Sequence, residues 1–357
     1  KPDGLPAATV SKSCVAFSDF DKDGDQDLFV GGRVIPGSYP ATPESFLLVN
    51  NGDGSFTRAT ASVAPRLERI GMVTDAEWVD VNNDGWPDLV LAGEFMAIEV
   101  FINRNGKSLE QATSRYFDQP LSGFWSRIVS ADFDQDGDID LIVGNLGLNT
   151  QLRASDDEPV ELVYKDFDKN GSIDPILTYY IKGTPYPFAS RDELLDQIRS
   201  LRSRFTDYAS YANARLEDIF SRSDLKNAQR LQINRLETTY LENRGGKFVI
   251  RDLPPEIQFS PVHAFAVMDV DGDGSQDLVV GGNQSAIRIR MGVIDANFGQ
   301  LFKNDGKGNF SYVGQANSGL VTTGDVKSMA TITVGEEPYL LIGINNVGIE
   351  TYKLHEN

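Results

Sequence analysis

The sequence predicts an all-β fold assembled from repeated four-stranded antiparallel units, and three observations carry that reading. A nine-residue aspartate and glycine pattern recurs five times in one register. Each copy lies between two short runs of strand character, and a second hairpin signal rich in Asn and Gly recurs four times.

The copies are DFDKDGDQD (19–27), DVNNDGWPD (80–88), DFDQDGDID (132–140), DFDKNGSID (166–174) and DVDGDGSQD (269–277), all reading D-x-[DN]-x-[DN]-G-x-x-D. Their incoming strands are CVAF, AEWV, RIVSA, ELVY and AFAVM; their outgoing ones are LFVGG, LVLAG, LIVGN, PILTYY and LVVGGN. The second hairpins are LLVNNGDGSF (47–56), VFINRNGKSL (100–109), YLENRGGKF (240–248) and LFKNDGKGNF (301–310), where Asn and Gly supply positive φ between apolar strands. Each unit therefore offers about four strands.

The loops start 61, 52, 34 and 103 residues apart. The first two intervals suit one blade of a β-propeller, which protects its sheet edges by radial repetition. The interval of 34 is too short for a blade, so 166–174 is expected within the same blade as 132–140. The interval of 103 requires an insertion. The sequence thus predicts one β-propeller domain over 1–357, with five to seven four-stranded blades and a helical insertion at 189–235.

The insertion announces itself by a change of period. Ser190 and Glu193 form a capping-box pair, and Leu194, Ile198, Leu201 and Phe205 share one helical face. Two further helices are expected over 206–220 and 223–233, capped by Thr206 and Ser223. The arm reads as a lid over one blade, with a partner-docking surface as the alternative.

Alternate carboxylates on a tightly turning loop can converge on one hard cation, and calcium takes six to eight oxygen ligands. Gly at the sixth place allows the sharp turn that aims the next carbonyl inward. The expected ligands of the first loop are Asp19, Asp21, Asp23, Asp27 and the carbonyl of Asp25. By the same register, the second set is Asp80, Asn82, Asp84, Asp88 and the Trp86 carbonyl. The third is Asp132, Asp134, Asp136, Asp140 and the Asp138 carbonyl. The fourth is Asp166, Asp168, Asn170, Asp174 and the Ser172 carbonyl, and the fifth Asp269, Asp271, Asp273, Asp277 and the Ser275 carbonyl. Up to five calcium ions are expected. Magnesium prefers a stricter octahedron with retained waters, and zinc wants nitrogen or sulfur, which one Cys and two His hardly supply.

Fifty-two acidic residues against 33 basic ones give a net charge of −19, which repels nucleic acid and anionic lipid. Cys14 is alone, so no intrachain disulfide forms, and it reads as a small core residue. No apolar run approaches the ~20 residues of a membrane-spanning helix. The start at Lys1 reads as a processed form or a fragment of a longer chain.

No P-loop, Gly-x-Ser-x-Gly elbow or His-Glu-x-x-His motif occurs. His263 reads as a hydrogen-bonded strand residue and His355 as solvated, while Trp125, Tyr179, Tyr180, Tyr186 and Phe188 read as packing residues.

The loops and their flanks resemble FG-GAP or VCBS repeats, the calcium-loop blades of integrin-α-like propellers. GNLGLNTQ, KDFDKNGSIDPIL, YPFASRDELLDQI, FTDYASYA and LPPEIQFSPVHA further resemble the C-terminal part of surface VCBS-repeat proteins of Bacteroidota. The resemblance implies a non-enzymatic scaffold at the cell surface, an accessory part of an outer-membrane assembly that binds a protein or glycan. It also implies a lipid anchor on a preceding part of the chain, or secretion. The alternative is a polysaccharide lyase or hydrolase on a propeller fold. The last unit, 324–346, keeps its strands but has lost the aspartates; it is expected to close the ring without an ion.

Overall fold

A computed structural model describes residues 4–7, 10–287, 289–335 and 337–354. The described residues form six antiparallel sheets with short helical connections. The first sheet holds β1 (Ser11–Ser18), β2 (Asp27–Val34), β3 (Phe46–Asn50) and β4 (Phe56–Arg58) in that spatial order. The second holds β5 (Met72–Val79), β6 (Asp88–Ala97), β7 (Glu99–Asn103) and β8 (Leu109–Gln111), with β9 (Ser122–Phe124) added to the far end of β6.

The third sheet opens with β10 (Arg127–Ala131) and β11 (Asp140–Gly144), and the chain then leaves it. It builds a complete fourth sheet, in the order β14 (Thr184–Pro187), β13 (Asp174–Ile181), β12 (Val160–Lys165) and β15 (Gln229–Ile233). Only afterwards do β16 (Thr239–Asn243) and β17 (Phe248–Arg251) complete the third. The fifth sheet is β18 (Val262–Met268), β19 (Asp277–Gly282), β20 (Gln300–Asn304) and β21 (Phe310–Val313); the sixth is β22 (Val326–Val334), β23 (Glu337–Ile344) and β24 (Gly348–Lys353).

Two expectations change here. The loop at 166–174 joins β12 to β13 of its own sheet and does not lie between strands of the third. QRLQI (229–233), expected as helix, is strand β15 on the free edge of β12. The pairing is a tertiary choice: an available ladder of backbone groups outweighs weak local propensity.

The sheets stack face to face, and successive residues of one strand serve opposite neighbours, as pleating requires. Leu89 and Leu91 of β6 pack with Phe29 and Leu47 of the first sheet, whereas Val90 and Ala92 pack with Leu141 and Val143 of the third. The third and fifth sheets meet through Ile142, Phe265 and Val280, and the fifth and sixth through Val279, Leu340 and Ile342. Contact therefore runs first, second, third, fifth, sixth. The fourth sheet rests on the second through Met72, Phe95, Leu162 and Ile233. Within the fifth sheet, β18 and β19 come so close at one end that a Cβ on Gly282 would stand 1.8 Å from the Pro261 carbonyl oxygen.

The helical arm covers the fourth sheet. Ser190 and Glu193 make the expected capping box of a helix over Arg191–Gln197. Leu194, Ile198 and Phe205 are buried with Val163 and Ile176 of the sheet. Phe220 stacks on Phe167 of the aspartate loop at 3.9 Å. The caps of the later turns are Asp207 and Ser221, one and two residues from the expected Thr206 and Ser223.

Candidate metal loops and the central cavity

Each aspartate loop is organised by its own backbone N–H groups. The first carboxylate accepts from the fifth and sixth residues: Asp19 from Asp23 N and Gly24 N, each at 3.0 Å, and Asp132 from Asp136 N and Gly137 N, each at 3.1 Å. Asp80 and Asp166 repeat this, the latter at 3.0 and 2.9 Å, and Asp269 accepts from Gly274 N at 2.8 Å. The fifth side chain accepts from the seventh N–H: Asp23 from Asp25, Asp84 from Trp86, Asp136 from Asp138, Asn170 from Ser172 and Asp273 from Ser275, at 2.7 to 3.0 Å. The sixth-place glycines Gly24, Gly85, Gly137, Gly171 and Gly274 have φ between +85° and +100°. A Cβ there would meet nothing within 4 Å, so backbone conformation and not space demands glycine.

The ninth aspartate is the buried anchor. Asp27, Asp88, Asp140, Asp174 and Asp277 are at most 2% exposed. Each takes a backbone N–H from the loop's second residue, from Phe20 in the first loop to Val270 in the fifth. Four of them also take the N–H of an asparagine that ends the third strand: Asn50, Asn103, Asn243 and Asn304, at 2.7 to 2.9 Å. Each of these carboxylates keeps a lone pair free for a cation, in Asp140 on Oδ1 alone because its Oδ2 also accepts the Tyr240 hydroxyl.

Carboxylate oxygens converge within 4.8 Å of one another in four loops: Asp19, Asp21 and Asp27; Asp132, Asp134 and Asp136; Asp166, Asp168 and Asp174; Asp269, Asp271 and Asp273. In the second loop, Asn82 replaces one carboxylate, and its Oδ1 shares the Asp84 N–H with Asp80. Burial pushes Asp27 up to about 6, Asp88 to about 7 and Asp140 to about 6, against helping backbone bonds. Burial and then the neighbouring Asp136 raise Asp134 to about 6. Carboxylates crowded and buried in this way favour a compensating positive charge, and their all-oxygen donor set fits a hard divalent ion such as calcium. In the fifth loop the Lys303 ammonium pairs with Asp271 at 2.7 Å. Asp138 directs its side chain to Asn83 Nδ2 at 2.6 Å and Gly245 N at 3.0 Å, and the Trp86 ring lies under the Lys22 ammonium.

The loops of neighbouring sheets are tied together by residues that the aspartate pattern alone does not flag. Asn103 Nδ2 donates to Phe20 O at 2.7 Å, Asn243 Nδ2 to Val81 O at 2.9 Å and Asn304 Nδ2 to Phe133 O at 2.7 Å. Each thereby latches its sheet to the loop of the preceding one. The fourth loop residues reach the other way: Lys22 Nζ to Gly85 O at 2.6 Å and Gln135 Nε2 to Gly274 O at 3.2 Å. The signal was present in sequence, since an Asn opens all four second hairpins.

At the opposite end of the incoming strands lies a cavity of about 570 Å³, lined in part by Thr74, Phe95, Phe124, Trp125, Ser126 and His263. Ser13 Oγ donates to Val73 O at 2.6 Å, Thr74 Oγ1 to Trp125 O at 2.8 Å and Ser126 Oγ to Val262 O, each hydroxyl reaching the next sheet. His263 occupies the equivalent place in β18, six residues before its loop. Its Nε2 is buried with no hydrogen-bond partner among the described residues, which corrects the expectation of a bonded strand histidine. His355 lies outside the described residues. Trp125 and Phe188 are buried at 1% and 3% exposure, as packing residues should be, and Tyr179 meets Phe188 edge to face.

The sequence model of the FG-GAP-like repeat family matches residues 19–91 and 80–143, covering the first two aspartate loops and the third. No curated protein matches the chain. Among solved structures, the Vibrio cholerae biofilm matrix protein Bap1 is similar at 10% identity and a TM-score of 0.32, over 96% of this chain and 77% of that one. A GH43_1 enzyme from Xanthomonas citri is similar at 12% identity and 0.35, over 100% and 92%. BBS1N, solved in complex with ARL6DN, is similar at 12% identity and 0.31, over 98% and 95%.

Proposed function

From its membership of the FG-GAP repeat family, we propose that this chain is a non-enzymatic, calcium-stabilised scaffold whose sheets are the blades of a β-propeller. The observation that carries the reading is the convergence of three carboxylates in four loops built to one plan. Calcium in each loop would neutralise carboxylates that otherwise repel at short range, so the loops would set rigidly only when loaded. Modules of this kind work at about 0.1 to 1 mM calcium, a range that favours a setting outside the cytoplasm, at a cell surface or secreted. No helix among the described residues is long and apolar enough to cross a membrane, and attachment would come from a lipid anchor on a preceding part of the chain. The ligand would be a protein or a glycan, in keeping with an accessory part of an outer-membrane assembly.

Metal content after dialysis against about 1 mM calcium, together with a calorimetric calcium titration, tests the reading. Several ions bound in the sub-millimolar range are expected. Calcium-independent folding with no bound ion would refute it. Glycan-array and pull-down measurements at 1 mM calcium then separate the two ligand classes.

A further inference from the structure

The incoming strands share a register that says which neighbour each side chain meets. Counting back from a loop's first aspartate, the second and fourth residues turn toward the preceding sheet. In β5 these are Trp78 and Ala76, packed with Cys14 and Ala16 of β1. In β10 they are Ser130, bonded to Glu77 of β5 at 3.1 Å, and Ile128, packed with Val79. In β18 they are Val267 and Phe265, packed with Val129 and Ala131.

In β1 the same two positions hold Phe17 and Val15, and they are 70% and 58% exposed. Across the ladder they pair with Leu28 and Val30 of β2, extending the apolar face over two strands. A separate observation concerns the latch. Asn103, Asn243 and Asn304 each hold one carbonyl of their own sheet and one of the preceding loop. Asn50 holds its own Gln26 carbonyl at 3.2 Å, and no preceding loop is bonded to it among the described residues. Both halves of a sheet-to-sheet interface are thus present without the mate.

We propose that the outer face of the first sheet docks one further antiparallel repeat sheet, borne by polypeptide outside residues 1–357, whose aspartate loop offers its second-residue carbonyl to Asn50. The occupant is fixed by what the face continues: the first–second, second–third and third–fifth interfaces each set such a sheet against the same side-chain positions and the same asparagine. The sixth sheet of a second copy is a poorer mate. Its β22 and β23 stay paired up to Val334 and Glu337, which only two residues separate along the chain, and that leaves no room for an aspartate loop. The inference rests on register and not on bound calcium, so it stands or falls separately from the metal reading.

The test places a photo-crosslinking benzoylphenylalanine at Phe17 in the cell that makes the protein, with the cross-linked peptide identified by mass spectrometry. A peptide flanking a D-x-[DN]-x-[DN]-G-x-x-D loop from outside residues 1–357 is expected, with its yield lowered about tenfold by Asn50→Ala, as loss of one buried bond implies. Cross-links to β22–β24 of a second copy, to a peptide without the repeat, or to nothing would overturn the proposal. The purified chain supplies the control. Phe17→Asp should leave its melting temperature unchanged while Trp78→Asp lowers it sharply; equal losses would show that the face is already covered within this chain.

Discussion

The Tyr240 hydroxyl donates to Asp140 Oδ2 at 2.8 Å, and neither residue has exposed surface. The ring stands edge-on to Phe133 and Phe310, and Gly308 leaves room beside it where a Cβ would stand 2.6 Å from the hydroxyl. An aromatic core is thereby joined to the carboxylate that anchors the third loop. Tyr240→Phe keeps the ring and removes the bond, so it is expected to cost about 1 to 3 kcal/mol, as a buried acceptor left short of a donor does. Urea unfolding in excess chelator measures it. A change well under 0.5 kcal/mol would mean that the hydroxyl is dispensable.

Removing calcium should loosen the loops. At ten times the dissociation constant each occupied site contributes about 1.4 kcal/mol, and four or five such increments rival the stability of a domain. Exhaustive chelation is therefore expected to lower the melting temperature by many degrees and to open the loops to protease, with calcium restoring both. Asp132→Asn should remove one ion from the metal count, because the first carboxylate organises the loop and on the calcium reading would also ligate.

The asparagine latches should be sensitive to a single substitution. Asn243 is 1% exposed and holds the Val81 carbonyl at 2.9 Å and its own Ile139 carbonyl at 3.3 Å. Asn243→Ala strands both buried acceptors, for about 2 to 4 kcal/mol. Asn243→Asp should be worse, since a carboxylate would then face carbonyl oxygens. Chemical denaturation ranks the three proteins; a near-neutral Asn243→Asp would deny the latch.

These loops were legible in the sequence because their chemistry is local: carboxylates two residues apart, a glycine at φ near +90°, strands on either side. The second hairpins and the Ser190 capping box were legible for the same reason. What escaped was decided by distant partners. Spacing along the chain suggested that 166–174 shared a sheet with 132–140, yet β16 and β17 return to the third sheet only after the whole fourth sheet and arm. Gln229–Ile233 became strand because β12 had an open edge, a fact held nowhere in those five residues. The final unit was expected to close the ring, but Ile332, Val334 and Ile349 leave its outer face exposed.

The arm should stabilise the fourth sheet. Phe220, 8% exposed, stacks on Phe167 of the fourth loop. Phe220→Ala should cost about 3 to 5 kcal/mol locally, as large-to-small core changes do, and should weaken calcium at that loop through the lost support of Phe167. Hydrogen exchange over 160–235, compared with the remaining sheets, would show whether the loss stays local.

Acid should destabilise the molecule through His263. Burial first, and then the Lys327 ammonium, push its imidazole down to about 4, while Asp325 opposes them. Lys327 in turn is held by the Asn283 carbonyl at 3.2 Å, and Asp325 by Ser285 N at 2.9 Å, so both charges are fixed near the ring. Between pH 6.5 and about 4 the unfolded chain binds the proton and the folded one does not. Stability from this group is therefore complete above 6.5 and is lost as pH falls toward 4, by about 3 kcal/mol at most. His263→Phe should remove that part of the acid limb, because nothing remains to be protonated. Urea midpoints at pH 7 and pH 5 in chelator, for both proteins, give the readout. Equal drops in the two would show that protonation of His263 plays no part.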